Sequence, residues 1–255
     1  MTSARGAATG QRPGSEPAAT PASEAHRLVL WDIDGTLVDS GGIGAEVFDV
    51  AIERTLGIRP TGRPRMGGKT DPQIVREYLD MLEIAEDDHA DHVPTILGHL
   101  ASELAAAEAV IAERGRDLPG AAAALAALGD DPAVVQTVLT GNVAPNAVVK
   151  LGAFGLQRWL DLEIGAYGSD HADRSRLVPI ALRRAAERRG AQFELSQVWV
   201  VGDTPNDLAC ARAGGVRCLL VASGRPGYDE LAALGPDALL HDLTDTAAVV
   251  DLLYS

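Results

Sequence analysis

Three short apolar runs in this chain each stop at a polar side chain: RLVLWDI carries Asp32, AVVQTVLT ends on Thr140 and QVWVVGD ends on Asp203. Runs of this length, closed by turn residues such as Gly35 and Gly141, read as buried strands. Two more are expected, at 161–167 and 216–222. Helical patterns near 145–154, 176–189 and 205–213 lie between them. Strands that alternate with helices predict an α/β fold with a doubly wound, mostly parallel sheet. In such sheets ligands bind beyond the carboxyl ends of the strands, so Asp32, Thr140 and Asp203 are expected along one edge.

Between the first two strands lies a long insertion, about 40–117, whose apolar residues follow helical rather than strand spacing. Phe48, Ile52 and Leu56 recur every fourth residue, as do Ile74, Tyr78 and Leu82, and Leu97, Leu100, Leu104 and Ile111 continue the pattern. The expected organisation is a discontinuous core, 26–39 and 118–255, with an α-helical domain inserted into it. The alanine-rich run 121–128 reads as a core helix. Residues 1–25 are small, polar and rich in Pro, Gly, Ser and Ala, which predicts a disordered tail. That tail has no apolar stretch of the kind a secretory signal needs, and Cys210 and Cys218 are too few for a disulfide framework, so a cytoplasmic protein is expected. A net charge of −14 opposes binding to nucleic acid or anionic membranes, leaving a small anion met by local positive charge or a metal.

The motifs DIDGT, LTGN and VVGDTPND, in that order, resemble those of the haloacid dehalogenase superfamily, and the resemblance covers about residues 27–222. It implies a Rossmann-like core with a mobile helical cap over the site. It further implies that Asp32 is the nucleophile that takes up a phosphoryl group and that Asp34 is the acid and base serving the leaving oxygen and water. An Asp at the second position is carried by the family's phosphatases and phosphomutases. The resemblance assigns Mg²⁺ to the carboxylates of Asp32 and Asp203 and the backbone carbonyl of Asp34, with Asp207 in support. Asp207 has a plainer reading as the acid of a helix capping box opened by Thr204. Phosphate oxygens would fall to Thr140 Oγ1 and the N–H groups of Gly141 and Asn142. The cation of the third motif is assigned to Arg174 in preference to Arg176.

Arg59, Arg63, Arg65 and Lys69 form a positive island between the first two insertion helices. Lys69, with Arg65 beside it, is the candidate substrate contact there, against a solvated loop as the plainer reading. Asp71 reads as a helix N-cap, and His89 and His92 as part of a solvated acidic face. His171 is a candidate for the border of the site, while Trp31, Trp159 and Trp199 read as core. The expected activity is hydrolysis of a small phosphorylated metabolite by a monomer or homodimer, similar to phosphoglycolate phosphatases. A phosphomutase of the β-phosphoglucomutase type is the nearest alternative, but that group usually places a histidine after the first motif where this chain has Gly41, Gly42 and Gly44. The other alternative is a non-catalytic signalling domain with a phosphorylatable Asp, which would be about half as long and lack the insertion.

Overall fold

A computed structural model describes residues 26–255, and the expected tail at 1–25 lies outside the described residues. The core sheet holds β1 (Arg27–Trp31), β4 (Val134–Val138), β5 (Val198–Gly202), β6 (Arg217–Val221) and β7 (Ala238–Leu240). All neighbours pair in parallel, in the order β4-β1-β5-β6-β7. Alternate residues of each strand supply opposite faces, as strand geometry requires. Val29 and Trp31 of β1 join Trp199 and Val201 on one face, covered by α5 (Ala121–Gly129), α6 (Ala144–Gly152) and α10 (Thr246–Tyr254). Leu28 and Leu30 join Val198 and Val200 on the other, covered by α7 (Leu177–Arg189), α8 (Pro205–Gly214) and α9 (Tyr228–Ala232). Burying each of these large side chains contributes about 1.5–3 kcal/mol, so both faces must be covered and the sheet is doubly wound.

The insertion leaves the core through β2 (Val38–Asp39) and returns through β3 (Arg116–Asp117), which pair antiparallel and bring entry and exit side by side. Between them run α1 (Ile43–Leu56), α2 (Asp71–Met81), α3 (Glu86–Ala106) and α4 (Glu108–Arg114). These helices close on a core of their own, with Phe48 and Ile52 meeting Ile74, Tyr78 and Leu79 and the Val93, Ile96, Leu100 and Leu104 stripe of α3. Leu97 lies on the flank of that stripe, and Ala107 ends α3 so that Ile111 belongs to a separate helix. Among the described residues no single helix is long and apolar enough to cross a membrane, and only α3 and α4 together, across a 60° bend, reach that length and composition.

The core differs from expectation at two places. The stretch 161–167 is not a strand: only Ala166 bridges Leu139, and the Asp161 carboxylate turns back to accept from Glu163 N. That side chain gives the backbone a competing turn, and Gly165 weakens any extension that follows. Conversely, β7 was not expected, because Ala238, Leu239 and Leu240 follow Pro236 and Asp237 too closely to form a recognisable run.

Candidate active site

Because β4, β1 and β5 are neighbours with Trp31 in register with both Val138 and Val201, the chain just beyond them converges. Asp32 N donates to Val201 O at 2.8 Å and Leu139 N to Trp31 O at 2.8 Å, which carries the sheet into the loops. The chain then turns tightly, with Ile33 O accepting from the N–H groups of Thr36, Leu37 and Val38. Gly35 sits at φ 84° with the Asp203 carboxylate against its Cα, where a Cβ would collide. Only glycine allows that close approach. Asp32, Thr140 and Asp203 are thereby buried together at 4%, 0% and 4% exposure.

Thr204 caps α8 and Asp207 completes the capping box, its Oδ2 accepting from Thr204 N at 3.0 Å and Thr204 Oγ1 at 2.6 Å. The other oxygen of Asp207 accepts from Arg174 Nη2 at 2.5 Å, and the same nitrogen lies 3.0 Å from Asp32 Oδ1. Asp207 therefore fills its capping role and an electrostatic one at once. Arg174 enters from a short turn of helix before α7 and is buried, whereas Arg176 is exposed and 3.9 Å from Asp173. Burial alone would lower the Arg174 pKa, but Asp207 and Asp32 overcome it and raise it, so this guanidinium is a fixed charge.

Asn142 N and Nδ2 donate to Thr140 Oγ1 at 3.3 and 2.8 Å, which leaves the threonine hydroxyl proton for an acceptor in the cavity. Gly141 lets the chain from the insertion pass directly over it: a Cβ there would meet the carbonyl of Lys69. Gly141 O accepts from Asp71 N at 2.7 Å. The N-cap of α2 is Thr70, not Asp71, because Thr70 Oγ1 accepts from Gln73 N. The Asp71 carboxylate instead accepts from Val143 N at 2.8 Å and Asn146 Nδ2 at 3.2 Å, tying the insertion to the start of α6. Burial pushes its pKa up to about 6, although nearby Lys150 works against the rise.

Lys150 was not singled out from the sequence. Its Nζ lies 2.7 and 2.6 Å from the two carboxylate oxygens of Asp34 and 2.7 Å from Asn142 Oδ1. Partial desolvation beneath the insertion would raise the Asp34 pKa, but Lys150, with hydrogen bonds from Asn142 and Ser40, holds it below the usual carboxylate range. A signal existed: Lys150 shares one face of α6 with Asn146, Ala147 and Leu151, and a cation at helical spacing with inward residues marks a buried partner.

These groups line a cavity of about 360 Å³ between core and insertion, with Phe48, Met66 and Ile74 as its apolar wall. Lys69 lines it too, held 2.5 Å from Glu77. Of the remaining positive island, Arg59 pairs with Glu53, Arg63 pairs with Asp49, and Arg65 is exposed and outside the lining. His89 is buried with Nε2 3.1 Å from Ile84 O, so it is not part of a solvated face. His171 is exposed outside the lining, where Nδ1 accepts from Asp173 N. Trp31 and Trp199 are fully buried, while Trp159 only flanks the core.

Carboxylate oxygens of Asp32, Asp203 and Asp207 lie within 4.8 Å of one another. Three buried acids face the single guanidinium of Arg174. Burial, with Asp207 and Asp32 close by, pushes Asp203 up to about 9, and burial pushes Asp32 up to about 6 despite Arg174. Such a cluster lacks positive charge and offers hard oxygen donors, which fits a divalent cation. Both oxygens of Asp207 already have partners, so Asp32 and Asp203 are the freer ligands.

The haloacid dehalogenase-like hydrolase family model matches residues 29–212. A plasmid-encoded phosphoglycolate phosphatase of Cupriavidus necator is 29% identical, over 87% of this chain and 92% of its own. The validoxylamine A 7'-phosphate phosphatase of Streptomyces hygroscopicus subsp. limoneus is 28% identical, over 86% of this chain and 95% of its own. Among solved structures, CbbY from Rhodobacter sphaeroides in complex with phosphate has a TM-score of 0.65 at 19% identity, over 89% of this chain and 99% of its own. A putative β-phosphoglucomutase from Bacteroides vulgatus has a TM-score of 0.63 at 17% identity, over 91% and 90%. With its strand-end acids gathered as described, this chain belongs to the haloacid dehalogenase-like hydrolase family.

Proposed function

We propose that the protein is a magnesium-dependent phosphatase that hydrolyses a small phosphomonoester through a phosphorylated Asp32. The observation that carries this reading is the setting of Asp32: buried at the strand edge, 3.0 Å from Arg174, with Thr140 and Asp203 on the flanking strands. An Asp32 oxygen attacks phosphorus, the ester P–O bond breaks, and the leaving oxygen takes a proton from Asp34, which must enter this step protonated although Lys150 favours its carboxylate in the free site. Water then attacks phosphorus, passes a proton to Asp34, and frees Asp32 and inorganic phosphate. Thr140 Oγ1 and the N–H groups of Gly141 and Asn142 are suited to receive phosphate oxygens, and Arg174 steadies the charge gathered on Asp32. Mg²⁺ bound by Asp32, Asp203 and the Asp34 carbonyl would neutralise charge between the acids and the phosphate.

The insertion acts in this reading as a cap, with Lys69 and the Phe48, Met66 and Ile74 wall facing the organic part of the substrate. The relatives named as phosphatases support hydrolysis over phosphoryl transfer to a second sugar hydroxyl. So does the glycine-rich entry to α1, where Gly41, Gly42 and Gly44 bring no side chain that would restrain water. A signalling role is disfavoured by Asp34, which promotes loss of the phosphoryl group. The test is release of inorganic phosphate from a panel of phosphomonoesters, ranked by kcat/KM with and without Mg²⁺. Turnover that requires the metal is expected; no turnover of any ester at any Mg²⁺ concentration would overturn the reading.

A further inference from the structure

Lys150 lines the cavity and touches both Asp34 and Asn142, yet the proposed steps give it no part. It is 6% exposed, on the last turn of α6. Its ammonium has three donors and three near acceptors: both oxygens of Asp34 and Oδ1 of Asn142. The Asp34 side chain itself is 46% exposed, so the surrounding packing does not fix its rotamer. Asn142 Nδ2 donates to the same carboxylate at 2.7 Å and Ser40 Oγ at 3.3 Å. Since Asn142 also bonds Thr140 Oγ1, one network joins the expected phosphate-binding loop to the expected acid.

Burying an ammonium carries a desolvation cost, and a pair with a half-exposed carboxylate returns little stability for it. The gain must lie in geometry. On the phosphatase reading above, we propose that Lys150 is a positioning residue that aims the Asp34 carboxyl at the ester oxygen. The enzyme's activity on alkyl phosphates, whose leaving oxygens must be protonated, then depends on Lys150 far more than its activity on aryl phosphates with stable leaving anions.

The experiment compares kcat/KM for β-glycerol phosphate and p-nitrophenyl phosphate at saturating Mg²⁺, because kcat/KM reports the step in which the ester bond breaks. Lys150→Met should lower the glycerol phosphate value about 100-fold, the scale of a misplaced general acid, and the p-nitrophenyl phosphate value by less than about fivefold. In an Asp34→Asn background the same change should add less than about twofold, since the lysine acts through that acid. Lys150→Gln, which keeps one donor toward Asp34, should fall between, and it serves if the methionine variant does not fold. Equal losses on both esters, or a full loss added to Asp34→Asn, would overturn the positioning role while leaving the phosphatase reading intact. If the wild-type protein is inert toward these two esters, the same comparison is made on an alkyl and an aryl ester that it does hydrolyse; a protein inert toward every ester of the panel would overturn the phosphatase reading, and the lysine's role with it.

Discussion

Asp32 and Asp34 stand two residues apart yet belong to charge clusters of opposite character. The first holds Asp32, Asp203 and Asp207 around Arg174, is buried throughout and is short of positive charge. The second pairs Asp34 with Lys150, is balanced, and opens on its carboxylate side to solvent. The difference follows from the pleat and the loop: β1 delivers Asp32 between two neighbouring strands, whereas Asp34 has moved beyond the sheet toward α6. A deficit of positive charge suits a cluster built to receive a cation and a phosphate. A balanced, half-open pair suits a group that exchanges protons with a leaving oxygen and with water.

The comparison can be broken most forcefully at Asp32. Asp32→Asn should reduce phosphate release on the order of 10⁵-fold, as loss of a nucleophile does, while the unfolding midpoint does not fall, because a crowded charge has been removed. Removing the metal addresses the same cluster. Dialysis against a chelator should bring turnover to background, and Mg²⁺ at about 100 times its dissociation constant should stabilise the fold by about 2.7 kcal/mol in urea unfolding. An unfolding curve insensitive to Mg²⁺ would argue that the charge deficit is met in another way.

Arg174→Met tests burial itself. It leaves Asp32 and Asp207 buried without their cation, so a loss of about 3–5 kcal/mol in urea unfolding is expected. A loss under about 1 kcal/mol would mean that the first cluster is no more interior than the second. Asp71, the insertion residue tied to the start of α6, adds a pH dependence. Its pKa is raised in the folded state from the ordinary 3.8 to about 6, so the folded chain holds this proton more tightly than the unfolded one. The Asp71 contribution to stability should therefore fall as pH rises from about 4 to about 6, by no more than about 3 kcal/mol, and Asp71→Asn should remove that part of the decline while leaving the parts due to Asp32 and Asp203. Parallel curves for the two proteins would contradict the assignment. The smallest effect is expected for the stability of Lys150→Met, within about 1 kcal/mol of wild type, because Asp34 can be hydrated once its partner is gone.

The two clusters also differ in how far the sequence reveals them. Asp32 and Asp203 announce themselves as acids that end apolar runs, and Arg174 follows from the family resemblance, which calls for a cation at the start of the helix before the last motif. Lys150 and Asp71 carry no such punctuation. Lys150 is eight residues past Asn142 on a helix whose other inward positions are Asn146, Ala147 and Leu151, and Asp71 is hidden by the Thr70 and Pro72 that frame a helix start. The strands surrounded on both faces were legible as continuous apolar runs. The β7 edge and the chain beside β4 were not: β7 is three residues long, and at 161–167 a side-chain turn takes backbone groups that a strand would use.

The central claim is that Asp32 carries the phosphoryl group during turnover. The most direct measurement is to mix Mg²⁺-loaded enzyme with a substrate it hydrolyses, quench in acid within the first turnover, and map phosphorylated peptides by mass spectrometry. The account predicts a single phosphorylated aspartate, Asp32, that disappears in Asp32→Asn. Phosphate on another side chain, or undiminished turnover in Asp32→Asn with no phosphorylated residue in either protein, would contradict it.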